Sequence, residues 1–386
     1  MSADDPDPSE IDPQQQPSRP ARRREPAPDA LVAGGEYRFG TYDGPIDRVN
    51  PLDVVTTPGV RGRLARAARN ARLKEWEAFQ LGDDDWFVLG AVYDTKSISL
   101  LQVLVVDKHA ATIRRYEQKV PSPMVHVARG LHGTESYGHV GRFSVQLTNL
   151  MRDGIIAVDA SHPGGGAVAA AAGAPSSLEP LELHGVGDCG PDDAGHLVIV
   201  HPFDDGTTGS AQRALYSHKV MMPFAGSMRL GAHVTAFSPA RSFMILDDHH
   251  GDYPSPMQYD WVTAVRRNDA GRVEGFNLTD NQVQDPDRYN ENAVWLGTDV
   301  FRLPAVHVER PNGPMGTWLV RDADGSGSVD VRFTPTVRSE MHVGPRRSLA
   351  EYHAPYGWFE GRIHTDQVDL DVDAMFGVGE QKFIRV

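Results

Sequence analysis

The strongest constraint on this chain is a long succession of short runs rich in aromatic and β-branched residues, each broken by Gly, Asp or Pro. "EWEAFQLG", "DWFVLGAVYD" and "ISLLQVLVVDK" open it. "RFSVQLTN", "GIIAVDAS", "HLVIVHPF", "SFMILDD", "DWVTAVRR", "GRVEGFNLT", "GSVDVRFTPT" and "WFEGRIHTD" carry it almost to the C-terminus. Runs of this texture and spacing form strands. No helix-length crossovers separate them, so the pairing is mainly antiparallel and the fold class is all-β, built from barrels or sandwiches. One segment departs from the pattern. "VRGRLARAARNARLKEW", Val60 to Trp76, carries Ala, Leu and Arg at helical density and predicts one short helix near 60–75. Its arginines would face water or an acidic surface, with a membrane-surface helix as the alternative.

At 386 residues the chain is too long for one ordinary core. "SHPGGGAVAAAAGAPSSLEP" offers little to pack and breaks the chain near its middle. We therefore expect a disordered tail at 1–34, an N-terminal β domain at 35–205 and a C-terminal β domain at 206–386. The tail is acidic at first, Pro-rich throughout, and has Arg22-Arg23-Arg24 within it; it lacks the apolar core of a signal peptide. A formal net charge of −14 argues against a sequence-independent nucleic-acid binder. No run approaches the roughly 20 apolar residues of a spanning helix, so no stable membrane insertion is expected. The single cysteine, Cys189, permits no intramolecular disulfide, and the expected compartment is the cytoplasm.

The chemistry-bearing residues gather in three clusters. In "SFMILDDHHGDYPSPMQYDWV" a strand beginning at Ser242 would place Phe243, Ile245, Asp247 and His249 on one face. Met244, Leu246, Asp248 and His250 would take the other. Each face then carries one carboxylate and one imidazole, the pairing that tunes a general acid or base. A polar turn accounts for the same residues. A metal centre fits them poorly, because consecutive strand residues diverge, and none is expected. Tyr253 and Trp261 follow closely. The second cluster, "GFNLTDNQVQDPDRYNENAVWLG", offers Asn277, Tyr289, Glu291 and Trp295, which Asx turns and packing also explain. The third, "LAEYHAPYGWFEG", offers Tyr352, His353, Tyr356 and Trp358, either as pocket walls or as a barrel plug. "RDADGSGSVDVRF" has carboxylates at calcium-loop spacing, but Phe333 stands where the bidentate Glu belongs, so it reads as a hairpin turn.

Asp247, Gly251, Tyr253-Pro254, Trp261, "GFNLTDNQ", "DRYNENAVW", "FTPT", "EYHAPYGWFEG" and the final "FGVGE" together resemble an uncharacterised bacterial family. It is catalogued as domain of unknown function two-eight-zero-four. "LKEWEAFQL" and "WFVLGAVYDTK" look like its opening, so the resemblance spans Tyr37 to Val386. After Gly251 the family often carries a basic residue and a Trp-x-Trp-Ala ending, where Ser255-Pro256-Met257 and Tyr259-Asp260-Trp261-Val262 stand here. The architecture is more distantly similar to the tandem lipocalin-like barrels of carotenoid hydratases and tocopherol cyclases. That resemblance implies a small apolar ligand and, with no cofactor, lyase, hydratase or isomerase chemistry on an alkene, alcohol or isoprenoid-like substrate. On this reading Asp247 or His249 donates a proton and Asp248, His250 or Glu291 receives one. Tyr253, Trp261, Asn277, Tyr289, Trp295, Tyr352, His353 and Tyr356 surround the substrate. The alternative is a non-catalytic lipocalin-like carrier.

Overall fold

The expected strands form. The computed structural model describes residues 24–55, 58–165, 178–343 and 350–385, and its strands build two large antiparallel sheets of fourteen and twelve strands. The first nearly closes into a barrel and the second makes a half-barrel, a nearly all-β, antiparallel architecture. Among the described residues the α-helices are Gly59–Arg72 (α1) and the single turn Pro286–Tyr289. "RDADGSGSVDVRF" is a hairpin turn, in which Asp322 accepts from the Gly327 and Val329 N–H groups at 3.2 and 3.0 Å.

Seven strands position the candidate site: β1 (Lys74–Gly82), β2 (Ala214–Leu230), β3 (Phe243–Gly251), β4 (Met257–Arg267), β5 (Glu340–Val343), β6 (Ala350–His353) and β7 (Met375–Ile384). In the first sheet β3 runs between β1 and β2 and pairs with both along its whole length. It is buried on both faces from end to end. One face enters the barrel interior, where Met244 and Leu246 pack with Phe79 and Val220. The other meets the second sheet, where Phe243 and Ile245 pack with Trp261, Tyr356 and Val378. The first half of β2 is doubly buried in the same way; its second half alternates as it leaves the interface. Gly226 lies in that second half, where a Cβ would stand 2.4 Å from the His184 carbonyl oxygen, so the close approach of the Leu181–Asp188 strand requires glycine.

The first sheet continues through Gly251 and the second begins at Met257, so sheet membership changes at 252–256. β2 and β3 belong to the barrel because their inward side chains complete its core. Residues 1–23, with Arg22 and Arg23, lie outside the described residues, as do 166–177 of the Gly/Ala-rich stretch. The remainder of the expected tail, 24–34, is built into the fold: Leu31 and Val32 are buried against Tyr42, Val198 and Tyr216. Arg24 also donates to the His196 carbonyl at 2.6 Å. The apolar triplet Ala30-Leu31-Val32 supplies burial that the Pro-rich composition around it masks.

α1 stops at Arg72, with the Leu73 N–H closing on the Arg69 and Asn70 carbonyls, and Trp76 falls in β1. Its arginines do not all face water. Arg69 and Arg72 converge on Asp252, one residue beyond β3, whose side chain has no exposed surface. Arg72 grips both carboxylate oxygens at 3.0 Å, and Arg69 reaches Oδ2 at 3.0 Å. Removing one partner of a buried pair leaves the other uncompensated. Asp252→Asn should therefore destabilise the fold by about 3 kcal/mol in urea denaturation. It should also speed tryptic cleavage within the Arg-rich helix; an unchanged urea midpoint would refute this role for the carboxylate.

Candidate active site

β3 presents its four ionisable residues by strict alternation. Across to β2, Asp247 faces Lys219 and His249 faces Ser217; across to β1, the same two face Ala78 and Trp76. This face opens into a cavity of about 140 Å³ between the sheets, lined among others by Trp76, Tyr93, Lys219, Asp247, His249 and Tyr253. His249 Nε2 lies 2.9 Å from Asp247 Oδ1 and 2.8 Å from the Ser217 hydroxyl, while Nδ1 lies 3.3 Å from the Tyr253 hydroxyl. Trp76 stacks on the imidazole with ring centroids 4.5 Å apart, and its indole N–H donates to Asp247 Oδ2 at 3.4 Å. The Ser217 hydroxyl donates to Glu291 Oε2 at 2.8 Å.

Lys219 donates to Asp247 and stands 3.7 Å from Glu291 and 5.0 Å from the centre of the Trp261 ring. These contacts fix the charge of Asp247. Burial opposes its ionisation, but the neighbouring His249 and Lys219 outweigh burial and hold the carboxyl well below the usual carboxylate range. These neighbours favour the anionic form of Asp247 and place it to orient His249.

The second sheet supplies the opposite wall. On β7, Glu380 accepts from the Tyr352 hydroxyl and, at 3.1 Å, from the Tyr259 hydroxyl. Lys382, two residues on, donates to the Tyr259 hydroxyl at 3.0 Å. Its ammonium lies 5.1–5.4 Å from the ring centres of Trp76, Tyr93, Tyr259 and Tyr352. Burial raises the Glu380 pKa, a shift that Lys382 and the two phenols oppose without cancelling. Burial likewise lowers the Lys382 pKa, against the pull of Glu380 and Asp247. One cavity therefore holds two carboxyl groups whose surroundings push their pKa values in opposite directions.

The other face of β3 carries a separate network into the barrel interior. His250 lies 2.9 Å from Glu75 and 3.0 Å from Asp248. Glu75 also takes Arg129 at 2.7 Å and Lys96. Glu77 accepts from Ser136 and, at 3.1 Å, from Asn149. Burial would lower the His250 pKa, but the Asp248 and Glu75 carboxylates reverse this and push it up to about 9. Burial, then the Asp248 charge, pushes the Glu77 carboxyl up to about 8.

The structure brings together Asp247, His249, Glu291, Tyr253, Trp261 and Tyr352 from the sequence-based set. Asn277 stands behind them, accepting from the Trp261 indole at 2.6 Å and donating to the Glu291 carbonyl at 2.8 Å. Asp248 and His250 lie on the far face of β3. Tyr289 packs against Phe39. Trp295 and Tyr356 are fully buried in the packing between the sheets, and His353 points to the far face of β6 with Glu340 and Glu351. Large apolar side chains at those positions fill the inter-sheet space, which is why an aromatic cluster in sequence does not map onto one pocket. Cys189 is no nucleophile, since burial and then Asp188 push its thiol up to about 12. Sequence reading missed Ser217, Lys219, Glu380 and Lys382. Their signal is the i, i+2 placement of polar residues inside otherwise apolar strands, in "YSHKVMM" and "FGVGEQKF".

The fold and site define a class: a two-sheet antiparallel β protein with an ionisable, aromatic-walled cavity at the seam between its sheets. The chain belongs to the family described as "Domain of unknown function (DUF2804)", whose model matches residues 23–385. No curated protein matches it in sequence. Among solved structures it is similar to CghA with Sch210972, at 9% identity over 82% of this chain and 89% of that one, with a TM-score of 0.45. It is similar to kievitone hydratase from Nectria haematococca at 12% identity, over 80% and 88% of the two chains, with a TM-score of 0.41. A putative AttH from Nitrosomonas europaea aligns at 11% identity, over 82% and 93%, with a TM-score of 0.41.

The barrel network makes stability depend on pH. His250 has a folded-state pKa near 9, above the unfolded value of about 6.5. Its contribution is complete below about pH 6.5 and is lost as pH rises through 9. Glu77, near 8 when folded, keeps a proton that the unfolded chain releases above about pH 4.5. Both groups make the folded state hold more protons, so stability should fall by up to about 2–3 kcal/mol per pH unit between roughly pH 7 and 8. Glu77→Gln should flatten that slope by about half in urea titrations at several pH values. A profile parallel to that of the wild type would sink the assignment.

Proposed function

We propose that the cavity is an acid–base active site of a lyase, hydratase or isomerase that works on a largely apolar substrate with its own side chains. The observation that carries this reading is the pair of carboxyl groups with opposed pKa shifts, Asp247 down and Glu380 up, within one aromatic-walled cavity. Paired groups driven apart in this way divide acid and base roles between them. Asp247 holds His249 Nε2, which leaves Nδ1, beside the Tyr253 hydroxyl, to take a proton. Glu380, fed by two phenols, is the group that gives one.

Lys219 and Lys382 lie over the rings of Trp261, Trp76 and Tyr352, which takes those aromatic faces away from any carbocation. Ammonium groups favour the opposite charge, so the substrate double bond is one conjugated to a carbonyl, whose oxygen becomes enolate-like. In the dehydration direction His249 removes the proton α to that carbonyl. Lys382 meets the negative oxygen, and Glu380 protonates the β-hydroxyl, which leaves as water. Hydration is the reverse; an isomerisation returns the proton to a different carbon. A cavity of about 140 Å³ is below the roughly 300–1,000 Å³ of sites for drug-sized ligands. It suits a compact substrate, or the reacting end of a longer isoprenoid-like chain.

The test begins with the ligand that native mass spectrometry finds on protein purified from its host. On that ligand, Glu380→Gln should lower kcat by about 10²–10⁴, and Asp247→Asn should act similarly. Both variants should leave ligand Kd within a few-fold of the wild-type value. If the wild-type protein binds that ligand without turning it over, or if the variants lose affinity as far as rate, the protein is a carrier.

A further inference from the structure

β5 pairs with β6, which pairs in turn with β7, and the two faces of this edge of the second sheet differ sharply in chemistry. Met341 and Tyr352 pair across it and line the cavity. On the opposite face, Glu340 pairs with His353 and His342 with Glu351. Alternation thus collects two imidazoles and two carboxylates into a compact square, each histidine opposite a glutamate and beside another.

The distances within that square are those of a coordination shell. Glu340 Oε2 lies 3.4 Å from His353 Nδ1 and 3.6 Å from His342 Nε2. Ligand atoms about 2.1 Å from a tetrahedral zinc ion stand about 3.4 Å from one another. One ligand atom from each of Glu340, His342 and His353 falls within 4.8 Å of the other two. The other ring nitrogen of His353 is held by Glu351 Oε1 at 3.0 Å. A carboxylate on the second nitrogen fixes the tautomer and turns the lone pair of the first towards a metal, the arrangement that supports zinc-bound histidines. Both ring nitrogens of His342 are shielded from solvent and make no hydrogen bond. Glu340 also meets the exposed Arg338 at 3.3 Å, a surface contact that a divalent cation would outcompete.

We propose that this face of the sheet edge is a binding site for a zinc-type divalent cation. Glu340, His342 and His353 are its ligands, Glu351 orients His353, and water completes the shell. The site is structural. It ties β5 to β6 on the side away from the cavity and so fixes the Tyr352 hydroxyl against Glu380. The site does not rest on the chemistry proposed for the cavity.

The test uses the full chain, stripped with EDTA and titrated with ZnCl₂ by calorimetry and native mass spectrometry. One equivalent should bind and raise Tm. His342→Asn and His353→Asn should each weaken binding by about 100-fold or more, and Glu351→Gln by about 10- to 100-fold. None of the three should show the zinc-dependent rise in Tm. Circular dichroism of the metal-free variants establishes folding; should a histidine variant not fold, Glu340→Gln, at a part-exposed position, gives the same readout. Absence of stoichiometric zinc on the wild-type chain would overturn the proposal. So would wild-type affinity in the folded variants, which would place the ion elsewhere.

Discussion

Everything at the centre of this molecule depends on one strand that is buried on both faces while carrying four consecutive ionisable side chains. A doubly buried strand is ordinarily a continuous apolar run, and Phe243 to Leu246 behave that way. From Asp247 onward each charge enters a low-dielectric space, where it persists only if a partner is delivered across the sheet. The register does this twice over. β2 brings Lys219 to Asp247 on one face, and β1 brings Glu75 to His250 on the other. A slip of one residue in either pairing would place each charge against the wrong neighbour and expose every apolar partner to the wrong core. The polar segment therefore locks β1, β2 and β3 together while the apolar segment supplies their burial.

The two faces use this compensation differently. On the barrel side Glu75, Glu77, Asp248 and His250 close on one another and on Arg129, Ser136 and Asn149. On the seam side the network is left open: Asp247, His249 and Lys219 border empty space, and Glu380 and Lys382 approach from the second sheet. The same Asp/His spacing, repeated on opposite faces, yields a closed structural cluster and an open chemical one. Which is which depends on what packs above each face, and only the meeting of the two sheets decides that.

This division explains what the amino-acid order could reveal. Strand identity and alternation are local properties, and they split Asp247 and His249 from Asp248 and His250 correctly. Lys219 lies 28 residues from Asp247 along the chain, and Glu380 and Lys382 come from the last strand. Their convergence is a long-range register that no local pattern encodes. Aromatic residues misled for the opposite reason. Trp295, Tyr356 and Tyr289 share sequence clusters with true cavity residues, yet strand period turns Trp295 and Tyr356 into packing between the sheets, and Tyr289 sits on a helical turn against the N-terminal segment. Ala30-Leu31-Val32 shows the same limit from the other side, since three apolar residues suffice to bind a segment whose composition reads as a tail.

Stability alone does not account for the open cluster. A buried ion pair is worth little compared with well-packed hydrophobic residues of the same volume, and often less than nothing. The neighbouring positions show that such residues fit: Leu89, Ile245 and Val265 fill the same seam within a few residues of the charges. At Asp247, His249, Lys219, Glu380 and Lys382 the seam instead holds charged side chains around space that no side chain fills. Four hydrogen-bonding or stacking partners, Lys219, Ser217, Tyr253 and Trp76, together with their contact with each other, hold His249 and Asp247 in one geometry. Groups fixed in advance around a cavity need not reorganise when charge develops there, and that is the condition under which buried side chains act strongly on a bound molecule. The arrangement is thus costly as a core and effective as a site, and that asymmetry is the physical reason to assign it a chemical task.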